Sequence, residues 1–183
     1  MPDGSAVFPR PIPRSARRGF GRDAVAGSLL LWLLLFFAAA GAQEAQRIGE
    51  SGLPLPRFAS LASDEVNMRT GPGSQYPVRW VYRRRGLPVK IVAESDQWRQ
   101  VVDPEGETGW IHSSLLSRRH NVLITGGRVV EIRRSPSGEA RILLRAEPGV
   151  IAELVSCREG WCLIDLEGDR GWVRRDDLWG VAP

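Results

Sequence analysis

Lysine is almost missing from this 183-residue chain: Lys90 stands alone, and arginine carries the basicity. Histidine and cysteine are nearly as scarce, at two each. With only His112 and His120, and no cysteine before Cys157, no Cys/His hydrolase arrangement can be assembled, and metal ligands at the usual spacing are lacking. Carboxylate pairs such as Asp103 with Glu105, or Asp176 with Asp177, fall in expected turns, where nothing desolvates them for acid and base work. A surplus of charge of one sign is lacking as well. The formal net charge is +4, and the five arginines and two aspartates of residues 1–42 account for most of it, so the remainder is close to balanced. Nucleic acid, which selects a positive surface able to displace counterions, is excluded as a partner. No helical period follows the Gly71-Pro72-Gly73 run, which excludes a phosphate loop of the strand-glycine-helix kind. Nothing in the pattern asks for a cofactor.

One long apolar run is present. From Ala24 to Ala42 there is no lysine, arginine or glutamate beyond the basic leader, and the centre reads Leu29-Leu30-Leu31-Trp32-Leu33-Leu34-Leu35-Phe36-Phe37. The basic region, the apolar stretch and the small-residue site Ala40-Gly41-Ala42 describe a secretory signal peptide over residues 1–42, cleaved after Ala42. An uncleaved single-pass anchor is the alternative, and it is the sole route to a membrane that the pattern offers. Either way the rest of the chain is expected outside the inner membrane, in the periplasm or secreted. Arg17-Arg18-Gly19-Phe20 leaves both general and twin-arginine export open. No cysteine follows the small-residue site, against a lipid anchor.

The remainder repeats itself. Val66, Met68, Arg69 and Pro72 match Val130, Ile132, Arg133 and Pro136 at an offset of 64. Gly86 and Trp98 match Gly149 and Trp161 at 63, and Asp103, Glu105, Gly106, Gly109 and Trp110 match Asp165, Glu167, Gly168, Gly171 and Trp172 at 62. Single-residue losses at turns are what a duplicated β unit shows. Short runs of strand composition fill both copies: Val78–Tyr82, Val89–Ala93, Trp98–Val102 and Thr108–His112 in the first, then Val129–Arg133, Ala140–Leu144, Val150–Val155, Trp161–Leu166 and Gly171–Arg174. Turn residues separate them at hairpin spacing, so each copy predicts a small antiparallel barrel. Ser113–Leu116 and Asp176–Trp179 each predict a closing 3-10 turn. Alternation along Val66-Asn67-Met68-Arg69 turns Val66 and Met68 to one side, Asn67 and Arg69 to the other.

The boundaries that follow are a linker over 43–57, a first domain over 58–117, a connector over 118–128 and a second domain over 129–180. Leu53–Phe58 reads as an ordered lead-in strand, and Val122-Leu123-Ile124 makes the connector too apolar to be loose, so the barrels are expected to touch. In an oxidising compartment Cys157 and Cys162 default to a disulfide. A two-residue Glu159-Gly160 turn sets Arg158 opposite Trp161 and Cys157 opposite Cys162, close enough to bridge.

The run Val66-Asn67-Met68-Arg69-Thr70-Gly71-Pro72-Gly73, Gly86, Trp98 and Gly109-Trp110-Ile111 resembles the signature of bacterial SH3 (SH3b) domains. The second copy keeps Gly149, Trp161 and Gly171-Trp172-Val173 but carries Ser135-Pro136-Ser137 at the glycine turn, and is the more divergent. With both copies the chain resembles alphaproteobacterial exported proteins with tandem domains of this kind. The resemblance implies an all-β chain of two SH3-like barrels that bind a cell-wall peptide or glycan, often beside wall hydrolases, with no activity of their own. The alternative partner is another envelope protein such as a wall hydrolase, with the barrels as scaffold. The oligomeric state stays open.

Trp98, Trp110, Trp161 and Trp172 recur in register and are expected in the barrel cores. Trp80 and Trp179 have no counterpart and are expected at a ligand-facing surface. The Arg83-Arg84-Arg85 loop also occurs in the first copy alone, so Trp80 with this loop is the candidate ligand edge.

Overall fold

A computed structural model describes residues 47–182. The expected signal peptide over 1–42 lies outside the described residues. A short hairpin, β1 (Arg47–Ile48) and β2 (Pro54–Leu55), precedes two seven-stranded antiparallel sheets. The first is built from β3 (Arg57–Leu61), β4 (Val66–Arg69), β5 (Val78–Tyr82), β6 (Pro88–Ser95), β7 (Trp98–Val102), β8 (Thr108–His112) and β9 (Leu116–Ser117). The second uses β10 (Asn121–Ile124), β11 (Val130–Arg133), β12 (Ile142–Ala146), β13 (Ile151–Arg158), β14 (Trp161–Leu166), β15 (Asp169–Arg174) and β16 (Leu178–Trp179). The first sheet runs β5-β4-β8-β7-β6-β3-β9 and the second β12-β11-β15-β14-β13-β10-β16, the same order strand for strand.

The duplication extends to the irregularities. Each long central strand takes a bulge at the same place, between Ile91 and Ala93 in β6 and between Leu154 and Ser156 in β13. An extra residue there bends the strand so that one sheet can curl over a core. Each copy turns a single 3-10 segment before its last strand, Ser113–Leu115 and Arg175–Asp177. Leu61 donates its N–H to the Leu87 carbonyl and accepts from Gly86, both at 2.9 Å, and Ile124 does the same with Val150 and Gly149.

Two segments do more than their composition suggested. The 118–128 connector contains β10, a full strand of the second sheet, which pairs with β13 and β16. Its counterpart β3 pairs with β6 and β9, and begins where the 43–57 linker ends. The second copy's β12 starts at Ile142 rather than Ala140, because Ala140 is held in the preceding turn by a bond from its N–H to the Ser137 carbonyl.

Aliphatic side chains fill both interiors. Val66, Met68, Val89, Val101 and Ile111 are wholly buried in the first barrel, and Val122, Ile124, Ile132, Ile164 and Val173 in the second. Burying each contributes about 1.5–3 kcal/mol. The glycine before the second tryptophan is required by close approach: a Cβ on Gly109 would stand 2.5 Å from Met68 Cγ and 2.8 Å from the Arg69 carbonyl oxygen. Gly171 meets Ile132 and Arg133 in the same way. Cys157 and Cys162 are opposite residues of the β13–β14 hairpin, with Cα atoms 4.0 Å apart and the disulfide formed. Glu159 and Gly160 both take positive φ, at 50° and 78°, as a two-residue hairpin turn demands.

Both barrels belong to one compact unit and meet through matching positions. Ser60 of β3 meets Asn121 of β10, Phe58 of β3 meets His120 and Trp179, and Leu123 of β10 joins the first barrel's apolar cluster; Phe58 and Asn121, and Ser60 and Leu123, are equivalent positions 63 apart. Ser60 is 1% exposed; its hydroxyl donates to the Arg119 carbonyl at 2.8 Å and accepts from the Asn121 N–H. The paired glycines sit on the seam too: the Asn121 amide donates to the Gly86 carbonyl at 2.8 Å, and the Arg84 guanidinium donates to the Gly149 carbonyl. Leu123, Ile151 and Trp179 of the second copy pack into the first barrel's apolar cluster. A barrel this small is marginal alone, and the shared seam offsets that.

Candidate ligand groove on the first barrel

Strand parity decides where the tryptophans go. In β7 and β8, Val101 and Ile111 point inward with no exposure, and Ile111 stands opposite Arg99. Trp98, Gln100, Trp110 and His112 therefore occupy the outer face, with Trp98 opposite His112 and Gln100 opposite Trp110. The second copy repeats this, with Cys162, Ile164 and Val173 inward and Trp161, Leu163, Trp172 and Arg174 outward. This corrects the expectation of a core position for Trp98, Trp110 and Trp172. Trp98, Trp110 and Trp172 are half-buried, and Trp161, though buried, lies outside the second barrel's apolar cluster.

Around Trp98 the surface is concave. The Pro72-Gly73-Ser74-Gln75 loop forms one wall of an open depression of about 530 Å³, and the Ser95-Asp96-Gln97 turn forms the other, with Trp98 and His112 between them. Arg69 holds the first wall, donating to the Tyr76 carbonyl at 2.7 Å; Arg133 repeats that bond with the Ala140 carbonyl, also at 2.7 Å. Gly71 leaves room for the Tyr76 ring, which a Cβ would approach to 2.5 Å. On the other wall Asp96 takes a φ of 50°, and its N–H is held by Glu50 at 2.7 Å. His112 meets the Trp98 ring edge to face at 5.3 Å. Its two ring nitrogens are engaged, Nε2 with Gln97 Oε1 at 2.9 Å and Nδ1 with Ser114 Oγ at 2.8 Å. A rigid indole with polar Ser74, Gln75, Asp96 and Gln97 around it suits a slender polar chain such as a peptide or glycan.

The second barrel's equivalent surface is covered. The Arg174 guanidinium lies 4.6 Å over the Trp161 ring, and Arg158 lies 4.6 Å over Trp172. Arg174 is the counterpart of His112. The remaining depression, about 190 Å³, is edged by Arg128, Arg133 and Arg174 with Glu131 and Asp177.

The residues singled out from sequence do not converge. Trp80 is 54% exposed on β5, an edge strand, with Val78 and Val81 exposed beside it. Arg83 pairs with Glu65 at 3.5 Å and Arg85 with Asp64 at 4.0 Å, while Arg84 reaches the second barrel. Trp179 is not a ligand-facing residue: it packs edge to face on Phe58 at 5.2 Å, inside the seam. Asp103 was expected on a solvated turn, yet it is 4% exposed, accepting from the Tyr82 hydroxyl at 2.8 Å and from the N–H groups of Glu105 and Glu107. Burial first, and then the Asp103 carboxylate, push the Tyr82 hydroxyl far above its usual pKa, so it stays a donor. The pair locks the β7–β8 turn to β5, and neither residue lines the groove.

The chain belongs to the bacterial SH3 domain family, whose model matches residues 62–118 and 127–180, well over half of its length. Among curated proteins it is similar to the putative N-acetylmuramoyl-L-alanine amidase YrvJ of Bacillus subtilis (strain 168), with 25% identity over 125 residues. That match covers 63% of this chain and 24% of the amidase, so the chain spans about a quarter of that relative. Among solved structures it overlaps NlpC2 from Trichomonas vaginalis at 15% identity and a TM-score of 0.31, over 68% of this chain and 48% of that one. An NlpC/P60 family protein from Bacillus cereus ATCC 10987 overlaps at 16% identity and a TM-score of 0.30, over 67% and 55%.

Proposed function

We propose that the protein is an exported, non-catalytic binding protein that holds a peptide or glycan of the bacterial cell wall in the groove around Trp98. The observation that carries the reading is the asymmetry between copies: the groove is open in the first barrel and roofed by arginines in the second. Family membership supports it, as does similarity to a protein named as a wall amidase, of which this chain spans about a quarter. A non-catalytic role is supported by the state of the reactive groups. Both nitrogens of His112 are bound, His120 Nε2 bonds the Gly180 carbonyl at 2.9 Å, and both cysteines are in the disulfide. Among the described residues no three His, Cys, Asp or Glu side chains gather as a metal site. Export rests on the expected signal peptide.

Sedimentation with purified peptidoglycan tests the proposal. Trp98→Ala removes the groove floor and is expected to weaken binding at least about tenfold, as loss of an aromatic anchor does. Trp172→Ala, already under Arg158, is expected to leave it unchanged. Equal binding by Trp98→Ala and the parent would sink the assignment.

A second reading, an adaptor for another exported protein, is favoured by β5, an edge strand paired on one side alone, where Val78, Trp80 and Val81 are exposed with Tyr76 just ahead of them. Capture of a protein partner without wall sedimentation, lost in Trp80→Ala, would select it.

A further inference from the structure

The seam between the barrels opens on one side into a cleft of about 380 Å³ that neither barrel forms alone. Ser60, the Arg85-Gly86 loop and Ser117 of β9 come from the first barrel, Asn121 from the second, and Arg119 from the short joining segment. Its lining holds two arginines and no carboxylate. Arg119 has no side-chain partner among the described residues, its backbone alone being engaged, by Ser60 and Ser117. Arg85 has Asp64 at 4.0 Å, with both side chains largely exposed, a pairing worth close to nothing in water. The Ser117 hydroxyl accepts from the Arg119 N–H at 3.1 Å, which leaves its own proton to donate. The frame is fixed, since Ser60 and Asn121 are tied across the seam and Asn121 is tied to the Gly86 carbonyl. The cleft thus offers two guanidinium groups and a hydroxyl donor, at a place set by both barrels, with no acid in its lining and Asp64 reaching Arg85 only at 4.0 Å.

We infer that this cleft is a second binding site, which takes a carboxylate of a wall peptide between Arg85 and Arg119. It rests on the wall-binding reading and adds the chemical group recognised. Guanidinium is planar and carries paired donors, the geometry that a carboxylate accepts in two parallel bonds. A membrane surface is the other source of anionic groups, but it would favour basic side chains beside exposed apolar ones, whereas none of the exposed large apolar side chains lines this cleft and its Leu61 is buried. Together with the Trp98 groove it makes the protein a reader of a strand and of a charged branch on it.

The test titrates the processed chain by calorimetry with a synthetic stem peptide bearing free carboxylates and with the same peptide amidated. Anionic phospholipid vesicles form a third arm. The parent is expected to prefer the free carboxylates by about tenfold, with the preference shrinking as salt rises. Arg85→Gln with Arg119→Gln is expected to erase the preference, and Trp98→Ala to keep it. Equal affinity for both peptides, a preference that survives the double variant, or vesicle binding that tracks the two arginines without any peptide preference would each overturn the inference. If the parent sediments with wall and the double variant sediments equally, with no peptide preference, the inference alone fails; if the parent does not sediment at all, the wall-binding reading fails with it.

Discussion

Glu94 is the residue whose loss the structure lets us cost most directly. It sits in β6 with 1% of its side chain exposed, beneath the loop joining β1 to β2. Ser51 donates to it from its N–H at 2.7 Å and from its hydroxyl at 2.8 Å, Arg57 at 2.5 Å, and Arg99 pairs with it at 3.2 Å. Burial works against its charge, but the Ser51 N–H, the Arg57 guanidinium and the Ser51 hydroxyl outweigh it and hold the carboxyl down at about 2. Glu94→Ala leaves the Arg57 and Arg99 side chains, 19% and 13% exposed, without their shared counter-charge. Removing one partner of a buried pair costs about 3–5 kcal/mol, and the partial exposure of the arginines places this case near the lower figure. That corresponds to a fall in Tm of about 10 °C. The damage should be local first, so limited proteolysis should cut within residues 49–56 before either barrel melts. The sign with pH follows from the lowered pKa. The stabilisation is complete above the ordinary glutamate value of 4.5 and is lost as pH falls toward 2. Cleavage of the loop should therefore rise across that window in the parent, and be high and pH-independent in Glu94→Ala. An unchanged Tm with an unchanged cleavage pattern would refute the reasoning.

Other substitutions test other parts of the fold. Tyr82→Phe leaves one lone pair of buried Asp103 unmatched and should cost about 1–3 kcal/mol by urea denaturation. Gly109→Ala should cost more than a typical surface change and reduce soluble yield, since its Cβ meets the Arg69 backbone, whereas Gly160→Ala, with open space around it, should show only the mild strain of its positive φ. Trp179→Ala should cost about 3 kcal/mol and split one calorimetric transition into two, because the first barrel loses its cover from the second. The Cys157–Cys162 bond closes only a short loop, so reducing it should lower stability by about 2 kcal/mol at most, read as the shift in Tm with and without dithiothreitol.

Local pattern was enough for most of the barrel. Strands such as Val78–Tyr82 and Trp98–Val102 are bounded by turn residues, and the Glu159-Gly160 turn sets the register that brings the cysteines together. What escaped was non-local. β3 and β10 each pair with strands some 30 residues away, and their sequences lie ahead of the repeated signature, so β10 passed for a connector. The tryptophans were misplaced for a different reason. Regular spacing reads as a mark of the core, although Val101 and Ile111, one position away on each strand, occupy the inward phase. That alternation was present in the sequence and would have put Trp98 on the surface. The two arginine lids on Trp161 and Trp172 depend on cross-strand neighbours, and no spacing rule announces them.

The seam has an evolutionary consequence. Phe58 with Ser60 and Asn121 with Leu123 occupy the same places on two copies of one unit, and Gly86 and Gly149 each accept a bond from the opposite copy. Equivalent glycines thus meet the seam from both sides, as in an isologous homodimer, although their donors, Asn121 and Arg84, are not equivalent residues. In a homodimer any change at the interface is made twice and must suit itself. A fused pair escapes that constraint, so a hydroxyl on one side can answer a leucine on the other, and one half can close its aromatic surface while its twin keeps an open one.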